Sequence, residues 1–198
     1  MVRKTRSYNK KVRASAEKET GQAILNAALK AFSGDLFDRV TLQNIASESS
    51  VTVQTVIRRF GSKEELFERL AEREEQRVIA DRHVPSDKGL PAALDAIVRH
   101  YERDGDMMIN FINQEHVFEP IRRIVARRRQ VHRKWVEKHC RDLLYGLPEK
   151  EREQTLYAAI AATDLAIWKL LRRDHGLEAD KVASIMKKML NALHVRTV

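Results

Sequence analysis

The chain predicts an all-α fold, and three observations carry that prediction. Apolar residues recur at helical spacing in one stretch after another. Only 7 glycines and 4 prolines punctuate 198 residues, too few for a turn-rich β architecture. The one strand-like run, VTVQTVIRRF at residues 51–60, has no second such run nearby to pair with. About nine helices are expected, with no internal repeat.

In order, ETGQAILNAALKAF places Ile24, Leu25, Ala28 and Phe32 on one face and predicts a first helix. SGDLFDRV predicts a turn. Thr41 then stands as the N-cap of TLQNIASES, with Leu42, Ile45 and Ala46 inward. Taken as a helix, residues 52–60 put Val56 and Phe60 on a face with Thr52 and Val53, while Gln54, Ile57 and Arg58 point the other way. A helix this short and this β-branched does not survive alone in water. It must be held by packing against the first helix and TLQNIASES. The few residues around 49–51 between the two short helices give the spacing of a helix-turn-helix.

Gly61 suits a left-handed position past a helix end. Ser62 and Glu65 form a capping box for a helix running to about residue 80, with Leu66, Phe67 and Leu70 inward. HVPSDKGLP at 83–91 reads as a loop. Helices are predicted over 91–103, about 106–118, 120–144, 148–172 and 178–195. Pro91, Pro120 and Pro148 sit where a first turn tolerates proline, and Gly146 and Gly176 mark helix ends.

Charge narrows the function. The net charge is +9, which favours a polyanionic partner, nucleic acid before membrane. Residues 1–20 hold seven bases against two acids, so five of the nine net charges lie there. Taken alone, such a segment reads equally as a solvated terminus. Cys140 is the only cysteine, so no disulfide or thiolate metal site forms within one chain. No signal-peptide core opens the sequence. The most apolar run, residues 157–171, is short for a bilayer and holds Asp164 and Lys169. A cytoplasmic protein with no membrane partner is expected.

The segment AILNAALKAFSGDLFDRVTLQNIASESSVTVQTVIRRFGSKEELF resembles the N-terminal DNA-binding domain of the TetR/AcrR family of transcriptional regulators. The matching pieces are I-L-x-A-A-x-x-x-F, a threonine opening helix 2, an I-A pair within it, V-[ST]-x-x-T at helix 3, and F-x-S-K-E-E-L into helix 4. They run in order over about 45 residues. Leu36 and Ser50 replace glycines usual in the family, and Ile57 and Arg59 stand where Tyr and His usually touch phosphates. Ile57 cannot donate a hydrogen bond, whereas Arg59 can.

The resemblance implies residues 1–66 as a basic arm with a three-helix helix-turn-helix domain, and residues 67–198 as a helical effector-binding and dimerisation bundle. A recognition helix reads base edges from its N-terminal and outward side chains. Gln54 suits adenine and Arg58 guanine, while Val53, Thr55 and Ile57 suit thymine methyls. Thr41, Thr52, Arg59 and Lys63 are placed for phosphates, which orient without reading sequence. Arg3, Lys4, Arg6, Lys10, Lys11 and Arg13 form an arm for the backbone or a minor groove. Against this, capping alone explains Thr41, Thr52 and Ser62, and solvated surface explains a lone Gln54 or Arg58.

In such regulators the last two helices pair with their copies, which implies a homodimer through Ile160, Asp164, Ile167, Trp168, Leu171, Ile185 and Met189. The alternative is an eighth helix buried at the centre of a monomeric bundle. The family also implies a repressor that leaves a palindromic double-stranded operator when a small-molecule effector binds. The effector and its pocket residues are not legible. MMINFINQEHVF at 107–118 suits a pocket wall or plain core.

No enzyme is expected. GxGxxG, GxxxxGK, HExxH and GxSxG are absent from the sequence. His132 and His139 stand about 10.5 Å apart along a helix axis, too far to share a metal. No metal or cofactor is expected. The competing reading is a basic, nucleoid-type helical protein that binds DNA without sequence preference and without effector.

Overall fold

The computed structural model describes residues 3–85 and 88–193, with side chains from Arg13 onward. Among these residues every regular element is helical. The chain divides into two compact units, Met1–Glu74 and Glu75–Val198.

The first unit holds α1 (Arg3–Gly34), α2 (Leu42–Glu48), α3 (Val53–Phe60) and the start of α4 (Lys63–Asp81), whose length carries it past the unit boundary. Its core is aromatic at the centre. Phe32, Phe37 and Phe67 meet with ring centroids 4.7–5.5 Å apart. Ile24, Ala28, Val40, Ile45, Ala46, Val56, Leu66 and Leu70 complete it. Leu42, expected inward, is only half-buried.

The expected arm is helix. α1 begins at Arg3, because no glycine or proline precedes Gly21 and Ala, Lys, Arg and Glu are strong helix formers. Arg13 is exposed on it. The side chains of Arg3, Lys4, Arg6, Lys10 and Lys11 lie outside the described residues.

The second unit contains the end of α4, then α5 (Gly89–Gln114), α6 (Glu119–His139), α7 (Arg141–Leu144), α8 (Glu149–Ala162), α9 (Leu165–Lys169), a π-helical turn (Leu170–Asp174) and α10 (Ala179–Leu193). α5 packs against α6, α9 and α10, and α8 packs against α6 and α10.

Three helix boundaries differ from the sequence reading. Within the span predicted as 120–144, α6 ends at His139 and a turn at Cys140 separates it from α7. The predicted break between 103 and 106 is absent, and α5 is continuous. Gly105 is not a stop but a place where the Trp168 indole lies against the helix: a Cβ there would come within 2.5 Å of Trp168 Cζ3. Conversely, the helix predicted over 148–172 breaks at Thr163–Asp164. Asp164 caps α9 by accepting from Ala166 N at 2.8 Å. Thr163 Oγ1 donates to Ala159 O at 2.9 Å, and Tyr101 Oη donates to the Thr163 carbonyl at 3.0 Å. The freed carbonyl thus finds its partner on another helix.

Candidate functional site

The strand-like run is helical because both of its ends and one of its faces are fixed. Thr52 Oγ1 accepts from Thr55 N at 3.2 Å and lies 3.0 Å from Thr55 Oγ1. Thr41 does the same for α2 through Asn44 N at 3.1 Å. Such a cap stabilises a short helix by about 1 kcal/mol. Between the helices, Val51 N donates to Ala46 O at 3.0 Å, and Ser49 Oγ donates to Ile45 O at 2.7 Å. Ser50 takes φ 55°, a left-handed conformation that favours glycine. Val56 is fully buried and anchors α3 on the core.

This burial presents the opposite face. Gln54, Ile57, Arg58 and Arg59 are exposed, and Val53 and Thr55 are half-buried. Ile57 is 49% exposed, a large aliphatic side chain offered to solvent between two polar neighbours. Gln54 and Arg58, four residues apart, project from the same side. Arg59 leans back towards α1, since a Cβ at Gly21 would lie 2.7 Å from its Nε.

Among the residues expected at phosphates, Thr41 and Thr52 are exposed while serving as caps. Lys63 is half-buried. Its Nζ donates to Phe37 O at 2.9 Å and lies 4.6 Å from the Phe37 ring centroid, a long-range contact that local spacing does not reveal.

The link from α3 to α4 depends on Gly61. Its φ of 79° with ψ −119° is open to glycine and costly for other residues. A Cβ there would also collide with the Glu65 carboxylate. That carboxylate accepts from Ser62 N at 2.7 Å while Glu65 N donates to Ser62 Oγ at 3.1 Å, completing the capping box. Gly61→Ala is expected to cost about 1–3 kcal/mol, from the backbone strain and the displaced cap. A thermal or urea melt checks it; unchanged stability would remove Gly61 from this role.

The second unit encloses a cavity of about 550 Å³ between α5, α6 and the α8–α9 break. Met108, Ile109, Ile112 and Val131 supply apolar wall, with Arg82, His100, Asp104, His132 and Asp164 among the polar lining. Asp104 is the most heavily engaged of these. Burial by itself would raise its pKa, but His100 Nδ1 at 3.0 Å, Arg103 and Arg77 hold the carboxyl well below the usual carboxylate range. Burial lowers His100 to about 4 and raises Tyr101 to about 12.

The residues expected at a dimer interface do not all reach a surface. Trp168 is 0% exposed within the single chain, its Nε1 donating to Glu102 at 2.7 Å. It is an interior residue. Asp164 lines the cavity and caps α9, and Ile160 also lines the cavity. Ile167, Leu171, Ile185 and Met189 are half-buried, and Leu170, adjacent to Leu171, is exposed. Among the described residues no helix is long and apolar enough to cross a membrane, and no group of three or more His, Cys, Asp or Glu could hold a metal ion.

Two short capped helices with an outward polar face on an aromatic core define a helix-turn-helix, DNA-binding class of protein. The profile of the bacterial regulatory proteins of the tetR family matches residues 24–70, the segment that contains α2, α3 and the capping box. Residues 24–70 are thus similar to the DNA-binding segment of tetR-family regulators.

Solved structures share the fold across most of the chain. A TetR-like transcriptional regulator from Rhodococcus sp. RHA1 is 17% identical, with 90% of this chain and 97% of that one covered at TM-score 0.69. A second transcriptional regulator from the same organism is 13% identical, with 87% and 95% covered at TM-score 0.68. A tetR-family transcriptional regulator from Streptomyces coelicolor is 19% identical, with 89% and 80% covered at TM-score 0.69. No curated protein matches the chain in sequence.

Proposed function

We propose that this chain is a homodimeric repressor that binds a palindromic operator and is released by a small molecule bound in the second unit. The observation that carries the DNA-reading half is the exposed face of α3, where Gln54, Ile57 and Arg58 stand together over a fully buried Val56. Gln54 has the fork to pair with adenine and Arg58 with guanine, while Ile57 meets thymine methyls, with Val53 and Thr55 at the helix start. Arg59, Thr41, Thr52, the remaining N–H groups of Lys63 and the basic start of α1 supply phosphate contacts.

Ile167, Leu171, Ile185 and Met189 lie on α9, the π turn and α10, elements that pack together, and this incompletely covered apolar strip suits a second copy. Two copies present two recognition helices to half-sites one helical turn apart. The cavity has the size and mixed lining of a small-molecule site. A bound effector acts by favouring a dimer arrangement that no longer fits both half-sites, and shifts the population only by its differential affinity.

Selection of bound sites from random DNA tests this directly. It is expected to return a two-fold symmetric sequence, and Arg58→Ala is expected to cost about 1–3 kcal/mol there and relax one base position in each half. Steep salt dependence with no preferred sequence would instead favour a charge-driven, nonspecific binder. An Arg58→Ala chain with unchanged affinity and unchanged preference would remove α3 as the reader.

A further inference from the structure

A glycine inside a helix weakens it relative to alanine, so Gly21 of α1 needs a reason. Its backbone supplies none. Positive φ among the described residues falls to Ser50, Gly61, Gly89, Gly146 and Gly176, and not to Gly21. The helical core supplies none either. The three nearest atoms that a Cβ on Gly21 would meet all belong to one side chain, Nε and Nη2 of Arg59 at 2.7 Å and its Cζ at 3.0 Å. The missing side chain makes room for a guanidinium.

The orientation of that guanidinium follows from the distances. Nε and Nη2 are nearer than Cζ, so the Nε–Nη2 edge faces α1 and Nη1 points away from it. Arg59 stands on the last turn of α3 beside the outward Arg58, and both are exposed. An exposed arginine ordinarily samples many rotamers and loses that freedom when it grips a ligand. Here the end of the side chain already has a seat. Its charge stays uncommitted as well. Among the described residues Arg59 makes no ion pair, although Glu17 lies one turn before Gly21 on α1, and Lys18 beside it adds a second exposed cation.

We propose that Gly21 is a positioning residue for DNA binding: it seats Arg59 on α1 and so holds that cation, Nη1 outward, for a backbone phosphate. The inference rests on the reading of Arg59 as a phosphate contact and names the residue that sets its geometry. A phosphate contact carries no sequence information, so the seat governs affinity for every duplex alike.

Fluorescence anisotropy of the full-length protein over a salt series tests this, on a mixed-sequence duplex and on a site selected from random DNA. Gly21→Ala is expected to weaken both by the same factor, roughly threefold to tenfold. Its melting temperature is expected to hold or rise, because alanine favours the helix and a guanidinium end can swing aside. That combination is what a merely structural glycine would not give. Arg59→Gln is expected to weaken both duplexes and to lower the slope of log affinity against log salt by about 0.9. The double variant should bind no more weakly than Arg59→Gln alone, since both changes remove one contact. Wild-type affinity in Gly21→Ala would overturn the proposal, as would losses that add in the double variant. A lower melting temperature in Gly21→Ala would do so too, by showing that the Cβ strikes something fixed. The two readings fail separately. Arg59→Gln with unchanged affinity and salt slope would overturn the phosphate contact, and the seat with it. Weakened Arg59→Gln beside unweakened Gly21→Ala would strike the seat alone.

Discussion

Trp168→Ala is expected to destabilise the second unit by about 3–5 kcal/mol, the largest single-residue effect in the chain. Trp168 is the largest fully buried side chain. Its ring lies on Gly105 of α5, its Nε1 donates to Glu102 at 2.7 Å, and the Arg173 guanidinium sits 4.4 Å from its ring centroid. Alanine leaves a cavity between α5 and α9 that relaxation only partly closes. The reverse change is informative too. Gly105→Ala improves helix propensity, yet it drives a methyl into an indole that has no room to move, at a cost of about 1–3 kcal/mol. The two changes share one space, so the double variant should lose less than the sum. Urea denaturation of the three variants checks this; a neutral Gly105→Ala would show that the indole is free to shift.

The second large effect is acid lability. His100 and His132 are held near 4 in the folded chain, chiefly by burial, with Arg82 lowering both. For His100 the Asp104 hydrogen bond opposes this, and for His132 Asp164 does. Both rings are neutral when folded, whereas in the unfolded chain they take up protons below about pH 6.5. The stability they contribute is therefore complete above that pH and is lost progressively as pH falls towards 4. By pH 5 the loss is roughly 2 kcal/mol per histidine. Asp104, held below the usual carboxylate range, extends the loss to still lower pH. Melting temperature measured from pH 7.5 to 4.5 should fall across this window, and His132→Gln should flatten the fall by about half. A melting temperature constant over that range would show that neither ring is buried neutral.

What was legible in the sequence was local. Thr41, Thr52 and the Ser62–Glu65 capping box act over three residues, so their spacing is enough to find them. The same is true of the helical periodicity that sends Val56 inward and leaves Gln54, Ile57 and Arg58 outside. That periodicity converts a β-branched decapeptide into a recognition-type helix, and with it the class of protein.

The rest was decided across long separations. Lys63 turns to Phe37, 26 residues away, instead of standing free. Trp168, an interface residue on the family resemblance, is claimed by Glu102 and Gly105 of the same chain. Gly105 looks like a helix stop until the indole that fills its place is seen, and Thr163–Asp164 looks helical until Tyr101 takes up the carbonyl it frees.

By itself the sequence determined an all-α chain with a helix-turn-helix near its start, because caps and periodicity are properties of neighbours along the backbone. Only the tertiary structure decided which buried polar groups are satisfied. Asp104 gathers three partners from two helices, while Arg82 Nε and His132 Nδ1 are buried without one. Pairing of that kind depends on which helices come to lie together, and no spacing within a single helix encodes it.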